Sequence, residues 1–560
     1  MAWAAPVANG ASASSVHSVI PPTMGVVEAL LAAMGLPVGA GSVPLAVQAV
    51  IPVAVSTASA VVKRWFKSPP EWWLLMGYVR TVNPANGARR HRFMKAGGFD
   101  AVAIAIGGMA PTVAMNLNPQ QPAAHVGRAV PLVFALCTVL LMLVAWCFAH
   151  LARRYPSSGS AYTFVGATLG SRAGLVAGWI TLGAYLSFVM LSIAGFGLFG
   201  SNILARFATV PHPSPDVISI IGAVVIGALC VTSLRVTGRA LVALEGISIL
   251  AMLGLSAVVL SKVFDGHGPI GDPRIAMVFV PPEHVGVLAI ALGLGFGFLT
   301  YSGFEQSATL GEEVTRASRT IPRVLIATVL IVGIICTVIS AAEVLGFGVT
   351  EADMARFTAS TSLLGDLATI YAGRGVGDVF DVFAMLSALG AALASTAAGS
   401  RIIFALLRDI APTSPLGRIE NGTGTPRNAA LLILLVGVLG YESMRQIFGA
   451  SASDSFFWGS TMAALLILLA YLLVCLSAGA SVLRATSGAA RFTVVIPIVA
   501  LVAIIFTLWV NVFPVQPGAY AVLPWVVLAW IAIPVIAVIA LPRINRDIAA
   551  ARTDRATQDA

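Results

Sequence analysis

Glu305 sits in the run Thr300-Tyr301-Ser302-Gly303-Phe304-Glu305, a polar interruption of an apolar segment that opens near Gly295 and closes on the charged stretch Glu312 to Arg316. A carboxylate and a glycine at membrane depth are costly, and irregular backbone survives there only where it is buried in protein or lines a cavity. The interruption therefore reads as a site and not as part of a membrane anchor. A second one, Ala105-Ile106-Gly107-Gly108-Met109-Ala110-Pro111, breaks an earlier apolar segment. Gly107, Gly108 and Gly303 permit an unwound backbone, and Pro111 has no N–H to donate. Broken helices of this kind present free N–H groups to an anion and free C=O groups to a cation, two poles that suit an amino acid zwitterion. Two carboxylates fall inside apolar segments near this site. Glu305 is the leading proton carrier, with bracing of the break as its alternative. Glu245 lies roughly 9 Å inside its segment at 1.5 Å per residue, and bracing or a buried ion pair is the stronger reading for it.

These residues need a membrane-embedded scaffold, and the composition supplies one. The chain has 560 residues, 58% of them hydrophobic and only 10% charged, with a mean hydropathy of +0.92. Soluble domains carry about 25% charged residues, so this is an all-α polytopic membrane protein. From Gly98 onward twelve apolar segments follow one another, each long enough to cross about 30 Å of hydrocarbon. The net charge of +9 is spread over short loops and not gathered on one face, so nucleic acid is not an expected partner. The expected partners are the lipid bilayer and a small-molecule substrate; oligomeric state leaves no trace in the sequence. Arg153, Arg154, Arg316, Arg319, Arg323, Arg401 and Arg408 all fall in or beside loops on one side, which predicts that side to be cytoplasmic and puts both ends of the twelve-span core there, in the cell membrane. The two interruptions are five spans apart. A duplicated unit with an odd number of spans inserts its second copy upside down, giving an inverted repeat whose breaks meet near the midplane.

The segments group as an N-terminal extension (1–95), spans one to five (96–263), an inverted second repeat of spans six to ten (286–483), spans eleven and twelve (491–542), and a cytoplasmic tail (543–560). The extension reads as disordered or surface-lying, with Met94 as an alternative start; its apolar run from Val43 to Val62 is of spanning length. A short interfacial helix is expected within Ser157 to Gly170. The outside loop Thr350 to Gly375 either connects spans or folds over an opening. Cys137, Cys147, Cys230, Cys336 and Cys475 all lie in apolar segments without metal-ligand spacing, and read as small core residues.

The ordered motifs resemble a known family. Gly303-Phe304-Glu305, Gly311-Glu312-Glu313 and Thr320-Ile321-Pro322 look like the sixth helix and following loop of the amino acid-polyamine-organocation transporters, in their bacterial amino acid permease branch. Arg154-Tyr155-Pro156 with Ser158-Gly159-Ser160-Ala161-Tyr162 is similar to their second loop, and Ser400-Arg401 to Ala405 with Arg408-Asp409 to the end of their eighth helix. The match runs from about residue 96 to 542. It implies a leucine-transporter-type fold of 5+5 inverted repeats plus two helices, working as a secondary active transporter without a cofactor beyond its coupling ion. Carried over, Ile106, Gly107, Gly108 and Met109 would offer N–H groups to a substrate carboxylate. Carbonyls around Leu299, Thr300, Ser302 and Gly303 would receive its amino group. In some relatives a lysine in the fifth helix replaces a sodium ion; here an ungapped reading puts Ser248 there. Ser395 and Thr396 keep sodium coupling open as the alternative to protons, and a polyamine or an exchange mode as alternatives to amino acid uptake.

Two other classes fit less well. A polytopic enzyme needs a paired acid and base or metal ligands at one membrane face, and the seven histidines are scattered outside or at the ends of spans. A channel or sensor would show no saturable accumulation against a gradient. The cluster Glu312, Glu313, Arg316, Arg319 and Arg323 reads as a solvated, ion-paired face or as a gate whose charges pair in one state only.

Overall fold

The first apolar segment is broken in two, as α1 (Gly98–Met109) and α2 (Pro111–Leu117), and is followed by the short α3 (Gln120–Val126) and the long α4 (Val130–Arg154). A short helix, α5 (Ala161–Thr168), forms where the sequence predicts an interfacial one, and leads to α6 (Ser171–Leu204), α7 (Pro215–Val231) and α8 (Leu234–Lys262). The sixth segment is also broken: α9 (Val287–Tyr301) stops, and a 3-10 helix continues over Phe304–Leu310. Then come α10 (Ala317–Phe347), the short α11 (Glu351–Ala359) and α12 (Leu363–Ala372), and α13 (Arg374–Ile410). The chain closes with α14 (Arg427–Gln446), α15 (Ala452–Leu483), α16 (Val495–Val512) and α17 (Leu523–Ala540). This computed structural model describes residues 97–205, 214–231, 234–283, 285–411, 413–419, 426–484, 491–513 and 515–540. The expectations for residues 1–95 and for the tail lie outside them.

Eleven of the described helices, counting each broken segment once, are long and apolar enough to cross a membrane. The fourth expected span, residues 217 to 234, corresponds to α7, whose apolar stretch Pro215–Cys230 falls below spanning length. At 17 residues it reaches about 25 Å, short of a 30 Å core unless the bilayer thins or neighbours shield its ends.

Burial sorts the helices from centre to rim. In α6, 94% of the most apolar window is buried, against 28% in α16 and 17% near α17, so α6 is the central post and the last two helices face outward. Lipid supplies no hydrophobic drive between helices, so such a post depends on close packing by small residues and on interhelical hydrogen bonds. Trp179 of α6 and Trp530 of α17 show the second: each indole N–H donates to the other's backbone carbonyl, at 3.2 and 3.0 Å, and their rings stack at 4.9 Å.

Candidate functional site

The first break falls at Ala110. This alanine has φ 43° and ψ 59°, in the left-handed region, and its N–H closes α1 on the Ile106 carbonyl at 2.9 Å. Such a conformation costs an L-residue about 1–2 kcal/mol. Ile106, Gly107, Gly108 and Met109 are themselves helical, so their N–H groups point back into α1. This corrects the expectation that the glycine pair unwinds. The free N–H groups lie instead at the start of α2, and side chains already occupy two of them. Thr112 donates both its N–H and its hydroxyl to Glu245 Oε1, at 2.9 and 2.8 Å, and the Val113 N–H donates to the Ser387 hydroxyl at 3.3 Å. Glu245 is buried and places its carboxylate on a helix N-terminus, which favours negative charge.

Gly108 does something else: together with Gly303 it lets the two breaks touch. Gly303 has φ 119°, and a methyl group there would collide with the Gly108 carbonyl carbon and come within 2.5 Å of the Met109 nitrogen. Gly108 in turn packs on the Gln306 side chain, whose Oε1 would meet an added methyl at 2.6 Å. Gly107 faces Ala394 of α13, next to Ser395. The Ser395 hydroxyl accepts from the Gln306 amide at 3.2 Å, whereas the Thr396 hydroxyl is buried without a partner. At the end of α9, the Leu299 carbonyl takes the Ser302 N–H at 2.9 Å, and the Thr300 hydroxyl accepts from the Asn118 amide at 2.9 Å. The Thr300 and Tyr301 carbonyls project beyond the last turn.

Glu305 sits at the join, 1% exposed. Its Oε2 accepts from the Gly303 N–H at 2.9 Å and from the Tyr471 hydroxyl at 2.8 Å. Its Oε1 has no hydrogen-bond partner. The Tyr185 hydroxyl stands beside the same carboxylate and interacts with it, and Gln306 Oε1 is a further acceptor without a hydrogen-bond partner. Phe148, Phe304 and Tyr471 pack around this point with ring centroids 5.6–5.7 Å apart. Glu305 thus braces the break with one oxygen and keeps the other available for a ligand's N–H or for a proton.

Both approaches to the breaks are covered. At the end carrying the basic loops, Glu313 pairs with Arg401 at 2.6 Å, both buried. Glu312 accepts from the Arg408 guanidinium at 2.9 and 3.1 Å and from Ser158 N–H and hydroxyl at 3.1 and 3.0 Å. Tyr162 OH donates to Asp409 at 2.6 Å. The partners of this acidic pair therefore come from α13 and the 155–160 loop, a latch between three elements and not a solvated cluster with Arg316, Arg319 and Arg323. At the other end, α12 folds over α2 and α11 over α3. Asn116 Oδ1 accepts from the Ser362 hydroxyl at 3.0 Å and the Leu364 N–H at 3.1 Å, and the Gln120 amide donates to the Ser360 carbonyl at 2.7 Å. The loop expected either to connect or to cover is thus a helical cover.

The latch is expected to respond to pH. Burial acts to raise the Glu312 carboxyl, but the Arg408 charge, its hydrogen bonds and those of Ser158 outweigh it and hold the group below the usual carboxylate range. A carboxyl depressed in the folded state contributes stability above its unfolded value, which is lost as pH falls through the folded one. Hydrogen exchange at the Ser158 amide should therefore lose protection severalfold on acidification below the carboxylate range. Glu312→Gln should be poorly protected throughout; equal protection at all pH values in the unmodified chain would contradict this.

Several residues of the site escape a reading of the sequence. Tyr185 and Tyr471 stand in apolar runs without a local cue, and Tyr471 reaches Glu305 across 166 positions. Ala110 had one: the right-handed helical region is disfavoured for the residue before a proline, which marks the break at Ala110-Pro111 more closely than the glycines do.

Comparison with known proteins agrees with this arrangement. The amino acid permease family model matches residues 100–546. The low-affinity putrescine importer PlaP of Escherichia coli is 26% identical over 317 residues, 55% of this chain and 66% of the importer's length. The branched-chain amino acid permease BcaP of Lactococcus lactis is 25% identical over 356 residues, covering 61% and 74%, and the methylthioribose transporter of Bacillus subtilis is 24% identical over 361, covering 62% and 74%. With two broken spans in contact and a family model that takes in nearly the whole helical bundle, the chain belongs to the amino acid permease family, within the amino acid-polyamine-organocation superfamily.

Proposed function

We propose that this transporter carries amino acids across the cytoplasmic membrane by alternating access, as proton-coupled uptake, with the breaks in its first and sixth segments holding the substrate. The observation that carries this reading is Glu305 at the join of the breaks, with one oxygen bound to Gly303 and Tyr471 and the other unpartnered. A proton on that second oxygen would cancel the charge without undoing the brace. The five-span spacing supports an inverted repeat. The basic latch would open toward the cytoplasm, with both core termini on that side, and the α11–α12 cover would open to the outside. Release of one while the other stays shut is alternating access in its simplest form.

A second reading has its own support. Glu305 Oε1 and Gln306 Oε1 are two buried acceptors without a hydrogen-bond partner, with the Tyr185 hydroxyl beside Glu305, a set suited to an ammonium group with several donors. A polyamine or diamine would fit them, and one of the relatives is a putrescine importer.

A thermal-shift screen of the purified chain against the standard amino acids and the common polyamines separates the two. A ligand at about 100 times its Kd adds about 2.7 kcal/mol to the folded state, so a true substrate should raise the melting temperature by several degrees. One or more amino acids are the expected hits; a hit confined to putrescine and its homologues favours the second reading, and no shift from any of them contradicts both.

A further inference from the structure

Glu343 lies near the end of α10, fully buried, and neither of its carboxylate oxygens has a hydrogen-bond partner. Residues three apart share a helix face, so Glu343 sits one turn from Gly346, where α10 meets α8 and α12. A methyl at Gly346 would meet Leu367 Cδ1 at 2.6 Å and Val259 Cγ1 at 2.7 Å, and the Tyr371 hydroxyl donates to the Gly346 carbonyl at 2.9 Å. Glu343 is thus about one turn beneath the seat of α12.

The ionisable groups on the elements packed around α10 are engaged elsewhere. On α8, Lys262 donates to the Tyr371 carbonyl at 2.6 Å and Glu245 holds Thr112. Asp366 of α12 accepts from Ser360, and Arg356 of α11 pairs with Asp353 at 2.5 Å. Tyr301 of α9 donates to the Phe134 carbonyl, Cys137 of α4 to the Leu294 carbonyl, Asp100 of α1 accepts the Gly97 N–H, and Glu305 serves the break. Cys336 lies two turns back on the same helix, seven residues from Glu343. None of these is a counter-ion to it. An unpaired charge buried this way is costly enough that such a group sheds it by binding a proton.

We propose that Glu343 is a second proton-binding site, sealed beneath α12 and opened to solvent when α12 lifts; this rests on the alternating-access reading above. On opening, the carboxylic O–H gives its proton to water and the carboxylate keeps the electron pair. A proton returns to it before α12 reseats. The site couples the cover helix to protonation independently of Glu305.

Infrared difference spectroscopy on the full chain in liposomes tests this. The unmodified protein should show a carboxylic-acid carbonyl band that is missing in Glu343→Gln and does not follow bulk pH through the neutral range. Tyr371→Phe, which removes a hydrogen bond holding α12 to α10, should make that band titrate with the buffer. Uptake of leucine or putrescine by Glu343→Gln should keep its half-saturating concentration and lose, severalfold, its dependence on pH at the α12 end. Spectra of Glu343→Gln that superimpose on the unmodified protein, or a band in Tyr371→Phe that stays insensitive to pH, would overturn the proposal. If Glu343→Gln fails to fold, the Tyr371→Phe arm still decides. If the unmodified chain accumulates neither probe while the band behaves as stated, the transport reading fails and the proton site stands.

Discussion

Gly303→Ala is expected to reduce transport to background and to lower the melting temperature steeply. Two independent penalties meet at this position. The backbone has φ 119°, which L side chains rarely adopt, and the added methyl would strike the Gly108–Met109 peptide of the facing break. Backbone cannot rotate away as a side chain can, so the two breaks must separate. Strain of this kind costs about 1–3 kcal/mol before the clash is counted. Gly254→Ala in α8 is the control, since a methyl there meets nothing within 4 Å and helical alanine is favoured over glycine by about 1 kcal/mol. Near-normal uptake by Gly303→Ala, with melting unchanged, would show that the breaks do not need to touch.

Glu305→Gln should abolish proton-driven accumulation while substrate binding stays within a small factor of normal. The amide oxygen can take over the role of Oε2, accepting from both Gly303 and Tyr471, so the brace survives. What is lost is the ability to bind and release a proton. Glu305→Ala differs: it leaves the Gly303 N–H and the Tyr471 hydroxyl buried without a partner, at about 1–3 kcal/mol each, and should lose binding as well. Counterflow exchange and equilibrium binding on the two variants distinguish these outcomes. Loss of binding by Glu305→Gln would reduce Glu305 to a brace.

The sixth segment announced its break in the sequence because Thr300, Ser302, Gly303 and Glu305 are out of place in an apolar helix, and α9 does stop at Tyr301. The first segment was legible only in part. Gly107 and Gly108 drew attention to the right turn, but of the two only Gly108 is needed for close approach, and the unwound residue is Ala110. Composition marks where backbone is allowed to bend; which residue bends depends on what packs against it. The latch shows the same limit. Glu312 and Glu313 were visible as charges, yet their partners Arg401 and Arg408 lie 88 and 96 positions away, beyond any local pattern. The cover over Asn116 was legible as a polar loop, and its fold follows from local caps, Thr350 on the Asp353 N–H and Ser362 on the Gly365 N–H. Glu343 is different again: its importance lies in having no partner, which no sequence can display.

The most direct test is uptake by the purified full chain in liposomes under an imposed inward proton gradient, without sodium, using labelled leucine and putrescine. Accumulation above the external concentration, abolished by a protonophore and by Glu305→Gln, is the expected result. Accumulation driven by a sodium gradient alone, with no response to protons, would contradict it.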